Sequence, residues 1–274
     1  MNSNTESKKV LIGWNEINPA QLLTGNNQML VNQEHIDKVQ AATNFKNQRA
    51  PFANPVDVIS EPSAALGQYI TQFWQQPSVQ PFVQENWTIK IADLNKVCTI
   101  QPSVEFVKSV LRVQNVIAEN VANIALLTLP LETVGGVPAG FDPIKNAWIF
   151  SSSNPNLRIA GNFANGGLFG FAVSLANSYV QVVKCQNRYF MRDGHHRAYG
   201  LLSKGISKVP VIYREYNSFN EMMIPPGLFP METLMSERPP MLTDYFNDQV
   251  SSIAEFPLST KVVIIQALEV NTLS

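Results

Sequence analysis

The chain is poor in the residues from which easily recognised sites are built. Its only two cysteines, Cys98 and Cys185, form no Cys-x-x-Cys pair. That argues against a disulfide framework and against a structural zinc site. No run of 18 apolar residues occurs, so no membrane span is expected. Residues 1–9 are polar and lack the apolar stretch of a signal peptide, and a soluble cytoplasmic protein is expected. Twenty Lys+Arg against 21 Asp+Glu leave a net charge of -1, which makes a nucleic-acid backbone an unsuitable main partner. Histidine is scarce: there are three, and two of them stand side by side at His195 and His196.

What is present is a sizeable core. Apolar residues make up 45% of 274, enough for one large domain or two small ones and too many for global disorder. Charge is uneven. Seven basic residues (Lys184, Arg188, Arg192, Arg197, Lys204, Lys208 and Arg214) share the stretch 184–214 with a single acid, Asp193. A local basic site in a mildly acidic protein suits a small phosphorylated ligand, whereas a solvated sheet face is the plain alternative.

Along the chain, residues 1–8 read as a tail and Lys9–Trp14 as a short strand. The Asn/Gln-rich stretch 15–53 reads as irregular with one or two short helices. Leu66, Ile70 and Phe73 space a helix over 63–75, ended before Pro77. Trp87–Ile91 alternates like a strand. Phe106, Val110, Val113, Ile117 and Val121 predict a long helix, N-capped by Ser103 and running to about Asn123, then a buried strand over Ile124–Leu129. Gly135, Gly136, Pro138, Gly140 and Pro143 mark a loop, and Ala147–Phe150 a strand. Leu157–Phe163 and Leu168–Val173 flank Asn165-Gly166-Gly167, a hairpin turn signal; a glycine-rich phosphate cradle is the sharper alternative there, without the spacing of a P-loop. Strands follow at Tyr179–Lys184 and Arg188–Arg192, a helix at His195–Lys204 closed by Gly205, and a strand at Val209–Tyr213 whose Pro210 suggests an edge or a strand start. The proline-rich end predicts an extended arm with a short helix near Leu242–Phe246 and a closing strand at Val262–Leu268.

The motif Asp193-Gly194-His195-His196-Arg197 therefore falls between a strand and a helix, where free N–H groups and the helix dipole favour an anion. Asp193 is either the helix N-cap or a carboxylate for Mg²⁺ or for a hydroxyl about to attack phosphorus. Gly194 permits close approach of a ligand, a tight turn, or both. His195 and His196 point about 100° apart on a helix, so they do not share one core pocket. Arg197 carries a fork suited to phosphate or carboxylate, or an ion pair with Asp193. Zinc is disfavoured, since adjacent histidines do not readily face one ion.

Val180–Glu215, VQVVKCQNRYFMRDGHHRAYGLLSKGISKVPVIYRE, resembles the core of the ParB/sulfiredoxin superfamily. Trp87–Pro102, WTIKIADLNKVCTIQP, is more weakly similar to that family's opening strand and Gln-Pro element. The resemblance spans about residues 85–216. Sulfiredoxins carry a cysteine where this chain has His195, which disfavours their chemistry. Partition ParB proteins bind CTP and follow with a helix-turn-helix, whereas proline-rich sequence follows Tyr216 here. The free serine kinases of the superfamily use an Asp-Gly-His-His-Arg motif identical to 193–197. That resemblance implies an α/β or α+β fold with a small mixed sheet and packed helices, and segments 1–84 and 217–274 added to a core at 85–216. It implies a nucleotide (ATP, ADP or CTP) with Mg²⁺, phosphate contacts from Gly194, His195, His196 and Arg197, and metal or hydroxyl contact from Asp193. Glu105, after Gln101-Pro102, is the candidate base, or an acid favoured by a helix dipole. The function expected is a phosphotransferase or nucleotide hydrolase acting on a small hydroxyl compound. The alternative is a ligand-sensing or partner-binding module that keeps the pocket, with homo-oligomers formed through the terminal arms.

Overall fold

Fourteen strands, eight helices and several 3-10 turns make up the regular structure of the computed structural model, which describes residues 5–14, 18–25, 31–132, 137, 139–152, 156–175, 177–224 and 227–268. In chain order they are β1 (Thr5–Leu11), α1 (Pro19–Leu23), α2 (Gln33–Gln48), β2 (Ile59–Ser60), α3 (Gly67–Trp74), α4 (Gln80–Gln84), β3 (Thr88–Asp93), β4 (Cys98–Thr99), β5 (Ser103–Glu105), α5 (Phe106–Arg112), α6 (Val121–Thr128), β6 (Ala139–Asp142), β7 (Ala147–Ser152), β8 (Leu157–Asn165), β9 (Leu168–Leu175), β10 (Gln181–Cys185), β11 (Arg188–Asp193), α7 (His195–Ser203), β12 (Lys208–Tyr216), α8 (Met231–Leu234), β13 (Ser251–Pro257) and β14 (Lys261–Gln266). This is a mixed α/β protein in two units, 1–131 with 179–257 and 132–178 with 258–274.

The first unit is built on a six-stranded mixed sheet of order β2-β3-β12-β10-β11-β4. β-branched residues give its central strands their stiffness and their burial: Val182, Val183, Val209, Val211 and Ile212 are all fully buried. Pro210 lies in the middle of this sheet, not at its edge. β12 pairs with β3 from Lys208 onward but with β10 only from Ile212. The Ile212 N–H points to the β10 side, where it meets the Val180 carbonyl at 2.9 Å. By alternation the Pro210 nitrogen points the same way, ahead of the first β10 partner, so no ladder bond is lost.

A second sheet, β13-β1-β5, joins the two ends of this unit. Seven residues of β1 pair with β13, so residues 5–8 form a strand and not the expected tail. The expected helix over 103–123 is also corrected. Val104 is buried opposite Lys9 of β1, which places Ser103–Glu105 in a strand and makes Glu105 the residue before α5. α5 ends at Arg112 because the Lys204 ammonium takes up the carbonyls of Val113, Gln114 and Val116, at 3.0, 3.0 and 2.7 Å. Val110 and Ile117, two residues of the apolar repeat, are exposed. The apolar run 124–129 falls mostly in α6, capped by the Asn120 side chain, and not in a strand; a short apolar run does not distinguish the two. The Asn-rich stretch forms a longer helix than expected, the sixteen-residue α2, because Asn32 and His35 close a capping box.

The second unit holds the antiparallel sheet β14-β7-β6 and the hairpin β8-β9. Gly166 and Gly167 both take positive φ, 54° and 84°, as a tight two-residue turn requires. The glycine-rich stretch is thus a hairpin, and it leads into no helix that would complete a phosphate cradle. Residues 1–4 of the expected tail, and Gly135, Gly136, Pro138, Pro225 and Pro226 of the expected loop and arm, lie outside the described residues.

Candidate functional site

β11 delivers Asp193 to the start of α7, and Gly194 turns the chain with φ 92°. A Cβ on Gly194 would stand 2.8 Å from Val180 Cγ2 and 2.9 Å from Val180 Cα, so glycine is needed here for packing as well as for its φ. The surface closely approached at Gly194 is thus Val180 of the protein itself. The N-cap position of α7 is Gly194, which has no side chain to cap with, and Asp193 one residue earlier accepts the Gly194 N–H at Oδ1, 2.6 Å away. The first helical bond runs from the Ala198 N–H to the Gly194 carbonyl, at 2.9 Å. The amides of His195, His196 and Arg197 therefore have no partner within the helix. Nor does an acid occupy the first turn.

His195 is buried, and its imidazole donates to the Met191 carbonyl while Nε2 lies buried with no partner. Nδ1 is then the protonated nitrogen and Nε2 carries a lone pair. Burial above all, with the neighbouring His196, pushes the His195 pKa down to about 3. This corrects the expected role. At neutral pH His195 is uncharged, and its inward lone pair would repel a phosphate oxygen.

His196 is partly exposed and also held well below the ordinary histidine range, chiefly by burial. Arg112 and Lys8 add to that depression, and Glu105 and Glu6 oppose it. Arg197 feels burial first, then attraction to Asp193, then repulsion from Arg112. A guanidinium stays charged regardless, so Arg197 and Arg112 bring positive charge to the start of α7, set against the carboxylate of Asp193.

Glu105, the candidate base, lies within electrostatic reach of His196. It enters from β5, whose partner β1 sets Lys8 opposite it in register. Lys108 stands 3.3 Å from Glu105 and 2.8 Å from Glu6, and Glu6 also meets Lys8 at 2.9 Å. Burial raises the Glu6 pKa, but bonds from Lys108 and Lys8 win and hold the carboxyl below its usual value. Glu6, Lys8, Lys108 and Arg112 were invisible to motif reasoning, because pairing of β1 with β5 and of α5 with α7 brings them in from distant sequence. The α5–α7 approach is close at Gly200, where a Cβ would fall 2.3 Å from the Ser109 carbonyl oxygen.

Most of the basic stretch 184–214 does other work. Lys184 meets Glu215 at 3.2 Å, and Arg214 meets Glu85 at 2.6 Å. Arg188 donates to the carbonyls of Leu234 and Ser236, Arg192 to the Tyr216 hydroxyl, and Lys204 caps α5. Only Arg197 of the seven lies in the motif, and Arg112 joins it from outside the stretch. No group of three or more His, Cys, Asp or Glu arranged for a metal occurs among the described residues. Asp193 is therefore a single carboxylate donor, sufficient for Mg²⁺ only if a ligand's phosphates and water complete the shell. An apolar cleft lies elsewhere, lined by Phe219, Met223, Ile224, Leu228, Phe229 and Met231, with no ionisable group among the residues lining it. Among the described residues no helix is long and apolar enough to cross a membrane.

No protein-family model, curated protein or solved structure matches this chain.

Proposed function

We propose that the chain is a ParB/sulfiredoxin-type protein that binds the phosphates of ATP, ADP or CTP at the N-terminus of α7 and transfers or hydrolyses a phosphoryl group. The observation that carries this reading is the glycine-led start of α7, with no acid in its first turn, beside Arg197 and Arg112, two guanidinium groups near enough for Arg112 to depress the Arg197 pKa. An anion at this position would meet two cationic groups and the first-turn amides of a helix. Arg197 and Arg112 hold phosphate oxygens together with the first-turn amides. His196, neutral in the free protein, contributes a ring N–H, and a bound dianion would draw its pKa upward. Asp193 would be the protein carboxylate offered to a Mg²⁺ ion bound with the nucleotide, which would offset the charge of the phosphates. Glu105 accepts the proton of a small hydroxyl compound. The order strand, strand, Asp-Gly-His-His-Arg, helix, strand over β10–β12 supports the superfamily reading.

A second reading, a nucleotide sensor without turnover, is favoured by one observation. His195 has a pKa of about 3, far from the value at which it would exchange protons near neutral pH. Calorimetry with each nucleotide, with and without Mg²⁺, tests both. Binding that falls at least about tenfold in Arg197→Ala supports the site, since charge-assisted bonds contribute about 1.5–3 kcal/mol. Absence of heat with any nucleotide refutes both readings. Release of phosphate or transfer to an added hydroxyl compound separates enzyme from sensor.

A further inference from the structure

Among the described residues the strand edges are guarded, with one exception. β2 and β4, the edges of the large sheet, are two residues long. Of the edges of the terminal sheet, β5 has three residues and β13 carries Glu255 and ends at Pro257. In the second unit β6 has four residues with Asp142 at its end, and β14 opens on Lys261. These are the usual devices against edge-to-edge pairing: shortness, charge and proline. β9 has none of them. It runs eight residues, LFGFAVSL, with no charge and no proline. Its one strand partner is β8, and the register shift in that pair falls on β8, between Ile159 and Gly161. β14 packs beside β8, leaving the other side of β9 as the outer edge of the hairpin.

The hairpin exposes apolar side chains on both faces. Phe169 and Phe171, 64% and 44% exposed, meet edge-to-face with centroids 5.2 Å apart. On the opposite face Phe163, also exposed, lies over Gly170, its register partner. A two-stranded ribbon of this kind is marginal alone and needs a third strand. Five of the 24 exposed large apolar residues among the described ones lie on this hairpin: Ile159, Phe163, Leu168, Phe169 and Phe171.

We propose that β9 is the dimerisation edge of this protein, pairing antiparallel with β9 of a second copy to form a four-stranded sheet. A twofold axis normal to the sheet puts Phe169, Phe171 and Val173 of both copies on one face. The strand then meets its own kind with no like charges to oppose it. A lipid surface is the less suitable occupant. The unit's six formally charged residues, Glu132, Asp142, Lys145, Arg158, Lys261 and Glu269, cancel, so anionic headgroups have no excess of positive charge to attract them.

Sedimentation velocity of the full chain from about 1 to 100 µM tests this. A dimer is expected, and Phe169→Lys with Phe171→Lys should weaken it at least about tenfold without changing the far-ultraviolet spectrum or the unfolding midpoint of the first unit. Both native cysteines are buried, so Phe171→Cys adds a single exposed thiol. Copper-phenanthroline oxidation should cross-link that variant to a covalent dimer, while Val56→Cys, at an exposed site in the first unit, should not cross-link. A monomer throughout the range, a dimer indifferent to both lysines, or a monomer that sediments with neutral phosphatidylcholine vesicles through this hairpin would overturn the assignment.

Discussion

Acidification should unfold this protein earlier than its carboxylates alone would require. The cause is His195. An unfolded histidine titrates near 6.5, whereas burial holds the folded one at about 3. Between those values the unfolded chain binds a proton that the folded chain refuses. Stability therefore rises with pH across this window and is lost as pH falls below about 6.5. One proton corresponds to about 1.4 kcal/mol per pH unit, so moving from pH 7.5 to pH 5 should remove about 2 kcal/mol through His195. His196, depressed for the same main reason, adds a loss of the same sign. Asp244, whose carboxyl burial raises, acts in the opposite sense, but from the acid side of the window, near the carboxylate range. Urea unfolding at pH 7.5, 6 and 5, fitted at each pH, measures the slope. His195→Asn supplies the control: the variant begins less stable, yet its loss between pH 7.5 and 5 should be about 2 kcal/mol smaller. Equal slopes in the two proteins, or a His195 ring that titrates near 6.5 by NMR, would refute the argument.

Three substitutions test the packing that shapes the site. Gly194→Ala imposes a left-handed conformation on alanine and drives its Cβ into Val180; a loss of about 2–4 kcal/mol in denaturant unfolding is expected, partly recovered by Val180→Ala. Gly200→Ala would gain about 1 kcal/mol in helix propensity, but a Cβ 2.3 Å from the Ser109 carbonyl must part α5 from α7; a net loss of about 1–2 kcal/mol is expected, and a more stable variant would contradict the close crossing. Arg49→Ala leaves Asp244 buried without the guanidinium 2.8 Å away; a loss of about 2 kcal/mol is expected, less when Asp244→Asn is added, and additive losses in the double variant would show that the pair is uncoupled.

Local signals carried far in this sequence where a single rule decided the outcome. The hairpin at Asn165-Gly166-Gly167, the helix from His195 closed by Gly205, and the turn of helix at Leu242–Phe246 all rest on backbone chemistry legible within a few residues. The failures share another cause. Ser103–Glu105 has helical company in sequence but a strand partner in β1, and Val104 is buried by that pairing. α5 stops because a lysine from the end of α7 takes up its carbonyls. No periodicity over 103–123 contains either fact. Charge misleads for the same reason: seven basic residues in one stretch suggest a site or a solvated sheet face, yet five of them are occupied by acids, carbonyls or a hydroxyl set opposite them by the sheet and by the segments packed against it.

The site itself divides along the same line. The motif 193–197 was visible because its five residues are contiguous, but their chemistry was not, because it depends on what surrounds them. His195 looks like a cation in sequence and is a neutral acceptor in the fold. Arg112 looks like the polar face of a helix and is the charge that opposes Arg197. Position 194 admits no capping serine or aspartate, because its φ of 92° and the close approach of Val180 both require glycine. The first-turn amides of α7 thus lie beside Arg197 and Arg112, where the proposed anion would meet them. A nucleotide at a hundredfold excess over its dissociation constant should then raise the unfolding free energy by about 2.7 kcal/mol, and that gain should vanish in Arg197→Ala. A thermal shift unaltered by that substitution would place the ligand somewhere other than the start of α7.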